Sequence, residues 1–117
     1  MATPNLINAT TINGLTAVAA VTTTLTAIVT NASSSGKAQR INSLIVSNVN
    51  GTSAATVTVT ILRSATNYRL VYNMSVPAAS SLDLINKTIY LNEGDALVAN
   101  VSTNNSCHLT ASYEVLS

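Results

Sequence analysis

Between Ala55 and Arg63 the chain alternates strictly, with Val57, Val59 and Ile61 set against the hydroxyls of Thr56, Thr58 and Thr60. A period of two is the signature of a β-strand with one greasy face and one polar face. The same spacing from Tyr68 to Val76 predicts an inner face of Tyr68, Leu70, Tyr72, Met74 and Val76, backed by Arg69, Val71, Asn73 and Ser75. Near the C-terminus it separates Cys107, Leu109, Ala111, Tyr113 and Val115 from His108, Thr110, Ser112 and Glu114. The segment from Ile41 to Asn48 reads differently. Leu44, Ile45 and Val46 stand in a row there, which predicts a central strand covered on both faces. Ser81 to Ile85, Thr88 to Leu91 and Ala96 to Val101 are short apolar runs, and Thr16 to Thr30 has room for two strands or one bent one.

All four glycines fall where these patterns stop, at Asn13-Gly14, Gly36, Asn50-Gly51 and Glu93-Gly94-Asp95. Gly and Asn tolerate the positive φ of tight reversals, so each is expected to mark a turn. No ten-residue helical period exists to carry βαβ crossovers, so neighbouring strands must run mostly antiparallel. The expected fold is all-β: a single antiparallel β-sandwich or jelly roll of about eight strands over residues 15–117. Met1 to Gly14 has no clear period and reads as an extended N-terminal arm.

Composition sharpens this picture. The chain has 117 residues, enough for one core. Charged residues make up only 8%, against about 25% in ordinary proteins. Their place is taken by 17 Thr, 14 Ser and 14 Asn, and the first 36 residues carry no charge at all. Five Lys+Arg against four Asp+Glu cannot build the basic patch that nucleic acid requires, so no nucleic-acid partner is expected. The most apolar window, Leu15 to Val29, is interrupted by five threonines and falls short of the roughly 20 apolar residues of a membrane span. No Lys or Arg precedes it, as a secretory signal would need, so the chain reads as soluble and unprocessed. Uncharged strand faces also lack the usual protection against pairing with other chains, and low charge reduces the desolvation cost of docking. The composition suits a subunit of a permanent assembly.

Catalytic chemistry finds little to work with. His108 is the single imidazole and lies on the strand face opposite Cys107, so the two make a poor dyad. Cys107 reads as a small core hydrophobe, and His108 as a surface or interface residue. Glu93 and Asp95 flank Gly94, yet a calcium loop gathers more oxygen ligands than these, and the expected role is a solvated hairpin. Tyr68 and Tyr72 share one strand face, and core packing is favoured over a sugar-stacking platform. Seven Asn-x-Ser/Thr sequons follow from composition and receive no role. No catalytic residue, metal or cofactor is expected.

The order KAQRINSLIVSNVNGTSAATVTVTIL, YRLVYNMSVPAASSLDLI, TIYLNEGDALVANVSTNN and SCHLTASYEVLS resembles small virion structural proteins of tailed bacteriophages, including those infecting cyanobacteria. The resemblance covers about Lys37 to Ser117. It rests on Ser47-Asn48 with Gly51, the Val76-Pro77-Ala78 corner, Leu91 with Gly94-Asp95 and Leu97, and Tyr113-Glu114-Val115. It implies a β-sandwich in the phage particle, made in the host cytoplasm. The expected role is non-enzymatic, a capsid decoration (cement) subunit that clamps neighbouring major capsid proteins, grouped as a trimer. The alternative is a tail, neck or fibre-associated module that contacts a host surface glycan. The expected assembly interface comprises Asn5, Leu6 and Ile7 of the arm and the hydroxyl ladder Thr56, Thr58 and Thr60.

Overall fold

The computed structural model describes residues 11–85, 87–103 and 106–117. Along them run nine strands: β1 (Ile12–Ala20), β2 (Thr26–Thr30), β3 (Ala38–Asn48), β4 (Ala55–Arg63), β5 (Thr66–Val76), β6 (Ser81–Asp83), β7 (Ile89–Leu91), β8 (Ala96–Val101) and β9 (Cys107–Leu116). All strand pairings among the described residues are antiparallel. One sheet has the order β1-β9-β3-β6, with β7 also on β3; the other has the order β2-β8-β4-β5. β6 and β7 pair with Ile45–Ser47 and Gln39–Ile41 of the same β3, so they are two pieces of one interrupted edge strand. Counted that way, eight strands wrap as two four-stranded sheets in a jelly roll.

The alternating residues build the core. Leu44 and Val46 of β3, Leu109 and Ala111 of β9, Val57 and Val59 of β4, and Leu97 and Ala99 of β8 are all buried where the sheets face each other. Each such Val or Leu contributes roughly 1.5–3 kcal/mol by leaving water. β3 and β9 are the central strands of their sheet, and Cys107, Leu109 and Ala111 point inward as their spacing predicts, while His108 is exposed. Ile45, on the outer face of β3, is half-buried rather than covered.

Two strand ends are pinned by buried amides. Asn48 Nδ2 donates to the carbonyls of Ser53 and Val76, both at 3.0 Å, and its Oδ1 accepts from Asn50 N at 2.9 Å. Asn31 Nδ2 donates to Lys37 O at 2.9 Å and Leu91 O at 3.0 Å, and its Oδ1 accepts from Ser35 Oγ at 2.6 Å. A buried amide is tolerated only when it is hydrogen-bonded, and each of these ties together segments from both sheets.

Two expectations are overturned. Asn13-Gly14 is no turn: both residues lie within β1 and pair with Val115 and Glu114. β1 therefore begins at Ile12, inside the stretch read as arm, and Met1 to Thr10 lie outside the described residues. The inner face assigned to β5 is also wrong. Tyr68 and Tyr72 are 58% and 64% exposed, Leu70 and Met74 are exposed as well, and Val71 is buried instead. The cause is the backbone. The β4–β5 register shifts between Val57/Val59 and between Val59/Thr60, and Asn73 sits at φ 49°. Each bulge inserts an extra residue and breaks the alternation.

Candidate assembly surface

The hydroxyl ladder of β4, expected at an assembly interface, is largely covered within the chain itself. Thr58 and Thr60 are only 6% and 0% exposed, and Thr56 is half-buried. Thr58 Oγ1 accepts from Asn73 N at 3.0 Å and donates to Asn73 Oδ1 at 3.2 Å, so it fixes the β5 bulge. Thr60 is opposite Arg69, whose guanidinium lies 4.5 Å from the centre of the Tyr72 ring. Asn5, Leu6 and Ile7 lie outside the described residues.

Glu93 and Asp95 are not in a solvated hairpin either. β7 and β8 belong to different sheets, so their connection crosses the end of the sandwich, and both carboxylates are buried there. Arg63 grips Asp95 with two bonds, Nε to Oδ1 at 2.9 Å and Nη2 to Oδ2 at 2.6 Å. Asn92 N adds a third at 2.8 Å. The Arg63 hydrogen bonds hold the Asp95 carboxyl below the usual carboxylate range, with burial opposing and the Asn92 amide assisting. Glu93 Oε2 accepts from Gly36 N at 3.1 Å, while Oε1 has no hydrogen-bond partner among the described residues. One open oxygen beside a guanidinium is a poor cation site, since calcium takes six to eight oxygens. Among the described residues no three His, Cys, Asp or Glu converge on a point. The joint locks the β2–β3 loop onto the β7–β8 turn.

The second ion pair lies on the outer side of the other sheet. Arg40 on β3 and Asn42 both bond Glu114 Oε1 of β9, and these contacts, Asn42 first, lower the Glu114 pKa. Burial pushes the Cys107 thiol up, against a weaker opposing contact from Ser106, which keeps it a protonated core side chain.

The sheet edges remain. An edge strand presents unpaired N–H and C=O groups, and proteins blunt it by shortening, bulging or charging it. β6 and β7 are three residues each. β2 is five residues with a register shift between Ala27 and Val29. β5 is long but carries both register shifts and Arg69. β1 is different: nine residues, an unbroken register against β9, no charge, and Ile12, Leu15 and Val18 exposed. Beside it, Val18, Ala19, Ala20, His108 and Thr110 line a depression of about 330 Å³ on the sheet's outer face. The sequence hint was the charge-free opening stretch, but the false turn at Asn13-Gly14 hid the strand.

Strand order and wrapping define a jelly-roll protein whose most unprotected feature is one edge. Among solved structures the chain is similar to one in the acid-stable capsid of Helicobacter pylori bacteriophage KHP30, with 12% identity and a TM-score of 0.58 over 93% of this chain and 90% of that one. It is also similar to a chain of Bacillus endospore appendages, a family of disulfide-linked pili, with 12% identity and a TM-score of 0.53 over 91% of this chain and 85% of that one. At these identities the likeness is one of fold. No protein-family model and no curated protein matches the chain.

Proposed function

We propose that this protein is a non-enzymatic structural subunit of a bacteriophage particle, a capsid decoration protein that clamps neighbouring major capsid proteins. The observation that carries the reading is the β1 edge: a long, regular, uncharged strand at the margin of a jelly roll is built to be continued by another chain. The fold shared with the KHP30 capsid chain supports it, as does the resemblance of Lys37 to Ser117 to phage virion proteins. In this reading Asn5, Leu6 and Ile7 reach a neighbouring subunit, and Thr56, at the rim of the ladder, is the threonine that a neighbour can touch. Particles assembled without the protein are expected to lose resistance to heat and osmotic shock. Equal resistance with and without it would discard the clamp.

One observation favours a second reading. Tyr68 and Tyr72 stand on the surface of β5 with Arg69 against Tyr72, which suits a tail or fibre module stacking a host glycan on its rings. Copy number separates the two: hundreds per particle for the capsid, six or twelve for the tail.

A further inference from the structure

Thr11 and Ser117 exchange both of their backbone bonds, at 3.1 and 3.0 Å, and Val21 N donates to Cys107 O at 2.9 Å. Antiparallel partners alternate between pairs that exchange bonds and pairs that do not. The register runs without a shift from Ile12↔Leu116 to Ala20↔His108, so the odd-numbered residues of β1 bond to β9. Ile12, Gly14, Thr16, Val18 and Ala20 therefore turn their N–H and C=O groups away from β9. Among the described residues no strand lies on that side.

The side chains say what fits there. Read outward from Thr16, every step matches a larger residue with a small one: Leu15 with Ala17, Val18 with Gly14, Asn13 with Ala19, Ile12 with Ala20. Such a strand complements its own reverse. We propose that β1 pairs antiparallel with β1 of a second copy, about a two-fold axis through Thr16. This register engages all nine residues of both strands, and it sets every outward N–H and C=O opposite a partner. Val18, 74% exposed, meets Gly14 of the partner subunit, where a Cβ would touch nothing within 4 Å. Ile12 of the partner subunit comes to rest beside Ala20, at the depression lined by Val18, Ala20, His108 and Thr110. No charge lies on either strand, so the two-fold axis brings no like charges together. The contact is isologous and closes on two copies, in place of the trimer expected for the clamp. It rests on the same β1 edge as the proposed function and names the chain that continues it as a second copy; the two part in their tests, since the dimer is read on the purified chain and the clamp on whole particles.

Sedimentation of the purified full chain over a concentration series is expected to show a monomer–dimer equilibrium. Thr16→Pro removes an outward N–H while leaving the bonds to β9, and is expected to weaken the dimer about tenfold or more. Cross-linking reads the register. Thr16→Cys places two thiols across the axis at a Cα separation of about 5.5 Å, within disulfide reach. Val18→Cys leaves its thiols four residues out of step, about 13 Å apart. Oxidation is expected to link Thr16→Cys chains and not Val18→Cys chains. A monomer at every concentration, a trimer, or equal linking of both variants would overturn the proposal. So would slow amide exchange at Thr16 and Val18 in a monomer, which would mean that the chain's own first ten residues cover the edge.

Discussion

β9 and β5 carry the same kind of alternation and meet opposite fates. β9 is gripped on both sides, by β1 along its whole length and by β3 with one register shift between Ile41 and Ser43; its alternate residues Cys107, Leu109 and Ala111 are buried as spaced, while at its end Val115 is half-buried and Leu116 is buried instead. β5 has one neighbour. Its register slips twice, and four of the five side chains assigned to its inner face stand in solvent. Alternation specifies which residues share a face only while the register is held, and a strand with a free side can bulge at low cost.

The comparison is open to direct attack. The largest effect is expected from Leu109→Ala on β9, which should cost about 3 kcal/mol in chemical denaturation because it leaves a cavity between the sheets. Leu70→Ala on β5 should cost under about 1 kcal/mol; equal losses would mean the two strands are not different in kind. Next comes the clamp at the end of the β4–β5 hairpin. Asp95→Asn should cost about 2 kcal/mol at neutral pH, a figure already reduced for the half-exposed Arg63. Because the folded-state pKa of Asp95 is lowered, the stability it contributes is present above the unfolded value near 4 and is lost as pH falls through the folded value. Melting temperature should therefore drop below about pH 4 in the native chain, and less steeply in Asp95→Asn. Third, Thr58→Val keeps the shape but removes the hydroxyl that holds Asn73, and should cost about 1 kcal/mol while raising amide exchange along β5. The smallest effect has the opposite sign. Ser64 and Ala65 close the hairpin at φ 52° and 61°, the left-handed geometry of a type I′ turn. Ala65→Gly relieves that strain and should stabilise the protein by about 0.5 kcal/mol.

Much of the architecture was legible because it rests on local patterns. The alternations at Val57–Val59 and Cys107–Ala111 located two strands and their inner faces, and the run Leu44-Ile45-Val46 located a central one. What failed depends on residues far apart in the chain. Glu93 and Asp95 looked like a wet turn because their partners, Gly36 and Arg63, lie 57 and 32 positions away. The burial of Thr58 and Thr60 likewise follows from the strand bulging beside them. At the proposed site, the absence of charge before Lys37 was visible, while the burial of Thr58 and Thr60 within the chain was not. The size pattern around Thr16 was equally present in the letters, but it gains meaning only once β1 is known to lie at a margin.

The wrapping order has a temporal consequence. β4 and β5 are the only sequence-adjacent strands among the described residues that pair with each other; elsewhere the chain must close long loops before a ladder begins. Such topologies fold slowly, on the scale of milliseconds to seconds. β9 sits between β1 and β3, so the sheet that bears the free margin has no middle until Cys107–Leu116 has been synthesised. The outward edge of β1 is therefore fixed in place only once the last of the nine strands has been laid beside it.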